Sequence, residues 1–361
     1  MDVIDFGPGE PDFDTPENVK AAGRRAIDEN LSHYLPTLGL RKLREAIAAS
    51  YSARYGIDYA ENEIIVGCGA KAVLYLAAMS LFSEGDEAII PSPYWVSFPE
   101  QVRLAGGEPV ILQTSEREGF TPGAMAAQSL INDRTRAVIL CSPSNPTGAV
   151  MPQEEVDRFV DLAVRNDLFL IFDETYEHFL YDGAKHATPA RAGRKDRGNI
   201  LLVSSASKSY AMTGWRVGYA LGPRPLIEAM ESVQSHDATH TAAVAQAAAA
   251  EAITAGRGSV EAMVAEYARR RRVMVEGLKS TKGFTCHVPQ GAFYVFPNVT
   301  GLYDRFKVKD SAGVSKCLLE EARVATVPGE AFGAPGYLRF SYALSLPRIE
   351  EGLERIKRCV G

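Results

Sequence analysis

Ile200-Leu-Leu-Val-Ser-Ser-Ala-Ser-Lys208-Ser-Tyr-Ala-Met-Thr-Gly-Trp-Arg216 is the stretch on which the fold turns. Its opening run, Ile200 to Val203, is apolar without alternation, as expected of a strand covered on both faces. Small hydroxyl residues and a lysine follow where the chain leaves the sheet. A lone lysine is ordinarily a surface charge. Here Ser205 and Ser207 flank Lys208, and Arg216 stands eight residues on. An amine kept from bulk water at a strand end can form an imine with an aldehyde. An arginine fork suits a phosphate.

The same grammar extends on both sides. Short β-rich runs at 63–66, 87–90, 109–112, 137–141, 168–172, 200–204 and 217–221 alternate with helical patterns at 70–82, 96–105 and 153–166. This predicts an α/β unit with a seven-stranded, mostly parallel sheet between helices. Helical stretches at 17–30 and 40–55 precede it. After Pro223 the pattern changes: one or two long helices over 225–278, a strand at 292–296, a helix at 311–321, strands at 324–327 and 337–342, and a last helix at 347–359. That portion reads as a smaller α+β domain. The expected division is a large domain over 36–275 and a small one made of 1–35 and 276–361, with no internal repeat.

Three further clusters sit just after predicted strands, where α/β folds place ligands. Asp173-Glu174-Thr175-Tyr176 follows an apolar run. A carboxylate there needs a partner, and a protonated ring nitrogen would supply one; a helix cap followed by a core tyrosine is the plainer reading. Cys141-Ser-Pro-Ser-Asn145-Pro-Thr-Gly148 is a loop in which two prolines hold the Asn145 amide with little entropy left to lose. Gly67-Cys68-Gly69-Ala70-Lys71 joins a strand to a helix, so free N–H groups there form an anion site.

Bulk properties narrow the class. A chain of 361 residues with 46% apolar and 23% charged residues is globular and long enough for two domains. A net charge of −6 argues against a nucleic-acid partner. The basic run Arg269–Arg272, with Glu261, Glu266 and Glu276 nearby, reads as a solvated helix face. Five scattered cysteines without a Cys-x-x-Cys predict neither disulfides nor a metal site, and a cytoplasmic setting. The start Met1-Asp2-Val3 lacks a basic, signal-like region. The alanine-rich run 242–255 is broken by Gln246 and Glu251, so it reads as a helix and not a membrane span.

Together these clusters resemble the class I/II aminotransferases of fold type I, the aspartate-aminotransferase-like family. The resemblance runs in order from Gly7-Pro-Gly9-Glu-Pro-Asp-Phe13 to Arg339-Phe-Ser-Tyr342. It implies pyridoxal 5'-phosphate bound to Lys208 as a Schiff base, with Lys208 also the proton shuttle. By the same resemblance Asp173 meets the pyridine nitrogen, Tyr176 and Asn145 meet the ring hydroxyl oxygen, and Trp95 stacks on the ring. Ala70, Ser205 and Arg216 are phosphate ligands by this resemblance, with Tyr34 supplied by the neighbouring subunit of a homodimer, and Gly69, Lys71 and Ser207 also belong to the cofactor-binding set. Arg339 grips the substrate α-carboxylate with Asn145 and the backbone near Gly9. A planar fork suits that task better than a lysine.

The sequence departs from the family twice. The family carries a further segment before the position of Gly9 that packs on the partner and helps close the site; here Gly9 is the ninth residue, so either the start is short or closure differs. Ala238-Thr239-His240-Thr241 stands where the family more often has Thr-Ser or Ser-Asn near the other subunit's cofactor.

For substrate, Lys71 matches a lysine that meets the distal carboxylate of aspartate or glutamate in a bacterial subgroup, although a helix-start lysine needs no such role. The expected activity is amino transfer between aspartate and 2-oxoglutarate. An aromatic, prephenate or other amino-acid aminotransferase is the alternative. A lyase on the same cofactor and a non-catalytic cofactor-binding module are further ones, since fold alone does not fix the reaction.

Overall fold

The computed structural model describes residues 2–192 and 196–361. Met1, with which the expected small domain and the signal-free start begin, and residues 193–195 of the expected large domain lie outside them. Among the described residues twelve strands are formed: β1 (Ile4–Asp5), β2 (Ile64–Gly67), β3 (Glu87–Ser92), β4 (Glu108–Gln113), β5 (Thr135–Cys141), β6 (Phe169–Asp173), β7 (Ile200–Ser205), β8 (Gly218–Leu221), β9 (Tyr294–Val295), β10 (Val324–Ala325), β11 (Val327–Pro328) and β12 (Leu338–Ser341). The helices are α1 (Glu17–Asp28), α2 (Arg41–Tyr55), α3 (Ala70–Leu81), α4 (Ser97–Leu104), α5 (Ala124–Gln128), α6 (Gln153–Arg165), α7 (Ala206–Ser209), α8 (Arg224–His236), α9 (Ala243–Thr254), α10 (Gly258–Lys279), α11 (Tyr303–Phe306), α12 (Ser311–Cys317) and α13 (Leu346–Val360).

The central sheet has seven strands in the order β2-β8-β7-β6-β5-β3-β4, as the alternating pattern predicts. Only β8 runs against its neighbours. The inner strands of this sheet are buried on both faces: Leu170, Phe172, Ile200 and Leu202 join one core, whereas Ile171, Leu201 and Val203 join the other. Period-two alternation thus separates two apolar sides rather than an apolar and a polar one. At the carboxyl ends, Cys141 pairs with Asp173 and Asp173 with Val203. Three parallel strands therefore bring their carboxyl ends to one edge, with β7 running two residues further to Ser205, where such sheets bind ligands.

The turn after β6 is pinned by a buried carboxylate network. Glu174 accepts hydrogen bonds from Tyr51, from Thr188 Oγ1 at 3.0 Å, and pairs with His186 Nε2 at 2.9 Å. Glu177 pairs with Arg54 below the same turn. Both carboxylates are buried and both are matched, as burial of charge requires.

Beyond the sheet, β9, β11 and β12 form an antiparallel sheet, and β1 lies parallel to β10. Phe6, Tyr267, Phe293, Tyr294, Phe340 and Tyr342 build an aromatic core there with α10 and α13. This is the smaller α+β part.

Four expectations need correction. The helical region expected as one or two helices over 225–278 is three, because Thr239 and Gly256 adopt positive φ between them. The helix expected at 311–321 is regular only to Cys317 and widens into a π-helical turn at Leu318–Ala322. The run at 324–327 divides at Thr326, so that β10 and β11 join different sheets. The basic run is only half a solvated face: Arg269 and Arg272 are exposed, but Arg270 and Arg271 are buried, held by Asp12 at 2.7 Å and Asp182 at 2.5 Å. Periodicity could not reveal partners so distant in sequence.

Candidate active site

Lys208 sits on the single turn α7, directly off β7. Its Nζ donates to the backbone oxygen of Gly9 at 2.5 Å. Burial pushes its pKa down to about 8; Arg216 and Arg339 push the same way, against Glu10 and Asp173. A lysine so placed is partly neutral near physiological pH, as a nucleophilic amine must be.

Asp173 ends β6 and accepts from the Thr175 backbone N–H through Oδ1 at 3.0 Å. Burial lifts its pKa to about 6, with the Thr175 contacts opposing. Such a carboxylate is primed to favour a cationic N–H partner, which would restore its charge.

Asn145 and Arg339 meet across the cavity. Arg339 Nη1 donates to Asn145 Oδ1 at 2.9 Å, and Nη2 to the Gly7 carbonyl at 2.6 Å. With its oxygen engaged, the Asn145 amide keeps its N–H donors for another acceptor. The guanidinium lies against two aromatic rings, 4.6 Å from the Tyr294 centroid and 5.0 Å from that of Phe332. The Tyr176 and Tyr294 hydroxyls lie 2.6 Å apart.

A cradle for an anion forms where β2, β7 and β8 meet α3. A Cβ on Gly218 would stand 2.2 Å from the Ala70 nitrogen, so only glycine lets the start of α3 sit against β8. Gly69 has φ +85°, and a side chain there would strike the Arg216 guanidinium. Arg216, itself at φ 57°, is aimed by hydrogen bonds to Thr213 O at 2.7 Å and Cys68 O at 3.3 Å. The first N–H groups of α3 have no intrahelical acceptor. Among the described residues, Ser205 Oγ, Thr175 Oγ1 and Arg339 Nε are buried without a hydrogen-bond partner, and all three belong to this site. Buried polar atoms of that kind call for a ligand.

Gly9, Ala70, Lys71, Trp95, Asn145, Asp173, Tyr176, Ser205, Ser207, Lys208, Arg216 and Arg339 line one cavity of about 380 Å³. Trp95 forms a wall, edge-on to Phe98, with Lys71 Nζ 5.1 Å from its ring. Gly69 stands behind the cradle and shapes it without lining the cavity. Tyr34 is elsewhere: it is 89% exposed and rests edge-on against His240. Sequence reasoning did not single out Tyr294, Thr175, Cys141, Val96, Val327 and Phe332, which also line the cavity. Thr175 and Cys141 lay inside motifs already singled out. Tyr294 lay in a run read only as a strand, and no local signal marks its hydroxyl.

The sequence model for the family described as aminotransferase class I and II matches residues 1–356. The chain belongs to that family. This aminotransferase is 41% identical over 362 residues to a probable aspartate/prephenate aminotransferase of Aquifex aeolicus, covering 100% of this chain and 91% of the relative. Its structure matches aspartate aminotransferase from Thermus thermophilus with maleate at a TM-score of 0.94 and 42% identity, over 99% of this chain and 92% of that one. It matches an aromatic aminotransferase from Pyrococcus horikoshii OT3 at 0.94 and 40%, over 99% and 95%. The aminotransferase thus shares its fold type with these relatives across almost its whole length.

Proposed function

We propose that the enzyme exchanges an amino group between an L-amino acid, aspartate foremost, and 2-oxoglutarate, with pyridoxal 5'-phosphate attached to Lys208. The observation that carries this reading is a pKa-lowered lysine sharing one cavity with Asp173 and Arg339. The residues fit the cofactor: an anion cradle lies at one end, a buried carboxylate stands beside the lysine, and buried polar atoms there have no partner. When bound, the cofactor supplies an aldehyde for the amine and an electron-poor ring that stabilises negative charge at the neighbouring carbon.

The chain's own groups divide the remaining work. Asp173 holds the proton on the ring nitrogen. Asn145 and Tyr176 donate to the ring oxygen, and Trp95 covers the ring. Ala70, Ser205, Ser207 and Arg216 hold the phosphate, with Gly69 and Lys71 shaping that end. Arg339 binds the substrate α-carboxylate, oriented by Asn145 and by the Gly7 carbonyl, with the backbone near Gly9 alongside. Lys208 would be the base that takes the proton from the substrate α-carbon and later gives it back.

Lys71 beside Trp95 offers a cation for a distal carboxylate, which favours aspartate. The relative crystallised with maleate, a dicarboxylate, supports the same choice. The prephenate and aromatic names of other relatives make aromatic amino acids the second reading. The exposed Tyr34 supports a homodimer in which it completes the neighbouring phosphate site. Five free thiols are in keeping with a cytoplasmic enzyme, and among the described residues no helix is long and apolar enough to cross a membrane.

A panel of amino acids tests this reading with the cofactor-loaded enzyme. Aspartate alone should convert the absorbance once and stop, and 2-oxoglutarate should restore it. Continuous release of ammonia from an amino acid alone would mark a lyase, and no change with any amino acid would mark a binding module.

A further inference from the structure

Tyr294 lines the cavity. Its side chain is buried on β9, yet the hydroxyl reaches the cavity and stands 2.6 Å from that of Tyr176. Its ring carries the Arg339 guanidinium at 4.6 Å. The strand pairing makes this contact: Tyr294 lies opposite Ser341 and Val295 opposite Phe340, next to Arg339 on β12. The same hydroxyl presses on the strap, since a Cβ at Gly9 would lie 2.5 Å from it. One phenol therefore touches the tyrosine expected at the ring oxygen, the arginine expected at the carboxylate, and the glycine whose carbonyl holds Lys208.

The direction of the hydrogen bond between the phenols follows from chemistry. Each hydroxyl has one proton to give. If Tyr176 donates to the ring oxygen, its own oxygen must accept, and Tyr294 is the donor at 2.6 Å. A donor that is itself a good acceptor is polarised and bonds more strongly. We propose that Tyr294 is a positioning residue that fixes the direction of the Tyr176 proton and steadies Arg339, so that the ring-oxygen and carboxylate contacts are set by one side chain. This rests on the cofactor reading above. The charged or titratable groups facing the pair are Arg339 from β12 and Cys141 from β5.

The test separates hydroxyl from ring. The proton shared by the cofactor's ring oxygen and the nitrogen joined to Lys208 leaves more readily when the oxygen's charge is stabilised by a strong donor. Tyr294→Phe weakens that donor, so the midpoint of the pH titration of bound-cofactor absorbance should rise by roughly 0.5–1 pH unit. KM for aspartate should stay within about twofold, because the ring still lies against Arg339. Tyr294→Leu should show the same shift and also raise KM for aspartate and alanine alike by about fivefold or more. A Tyr294→Phe midpoint equal to wild type overturns the inference, even if the leucine variant fails to fold. So does a KM rise in Tyr294→Phe as large as that in Tyr294→Leu. A wild-type protein that gains no absorbance with the cofactor overturns the cofactor reading itself.

Discussion

Lys208 Nζ and the Gly9 carbonyl oxygen are 2.5 Å apart, although 199 positions separate them in sequence. The N-terminal strap thus closes over the amine that leaves the central sheet. It is anchored on both sides: Gly7 O takes Arg339 at 2.6 Å, Glu10 takes Thr213 at 2.9 Å, and Asp12 takes Arg270. Shielding by the strap contributes to the burial that depresses the lysine pKa.

The first prediction concerns that depression. Raising the pH through about 8 converts the Lys208 ammonium to the neutral amine, the proposed nucleophile. The rate at which cofactor-free protein captures pyridoxal phosphate should therefore rise with a midpoint near 8. An ordinary lysine would show it near about 10.4. Stopped-flow absorbance between pH 6 and 10 measures this, and Lys208→Ala should remove the signal.

Asp173 yields the second. Its carboxyl is raised to about 6 by burial, so below that pH a proton neutralises the charge that would attract the ring N–H. Cofactor affinity should fall as pH drops through 6. In Asp173→Asn that fall should vanish, and kcat should decline by about 10²–10³-fold. Equilibrium dialysis and steady-state kinetics read the two effects.

The proposed substrate recognition divides between two cations. Arg339→Lys keeps the charge but loses the fork, and should raise KM for aspartate and alanine alike by about tenfold or more. Lys71→Ala should raise KM by a similar factor for aspartate and glutamate while sparing alanine. Equal losses for alanine and aspartate in the Lys71 variant would remove the argument for a dicarboxylic substrate.

The sheet and most of the cavity were legible because their signals are local. Apolar runs ending in Asp173, Ser205 and Cys141 announce strands and place their polar ends together, since parallel strands align their carboxyl termini. Residues brought in from afar were not legible. The Tyr294 hydroxyl looks like a strand tyrosine until Tyr176 is seen beside it. Arg270 and Arg271 look like surface charge until Asp12 and Asp182 fold against them. The division of 324–327 depends on which sheet each half pairs with, and no periodicity encodes that.

Stability rests partly on the pair beneath the Asp173 turn. Burial raises the Glu177 carboxyl, but Arg54, helped by His178 and His186, outweighs it and holds the pKa at about 2. A depressed carboxyl stabilises the fold above its unfolded pKa, and that contribution fades as pH falls from about 4.5 towards 2. Arg54→Ala leaves a buried charge unmatched and should cost about 3–5 kcal/mol in urea unfolding at pH 7. Its acid unfolding should also begin at a higher pH than in the wild type.

The most direct measurement is borohydride reduction of the cofactor-loaded enzyme, followed by digestion and mass spectrometry of every lysine-containing peptide. A single phosphopyridoxyl group on Lys208 is the predicted result. Label on Lys71 or another lysine with Lys208 unmodified, or a loaded protein that takes no label, would contradict the account.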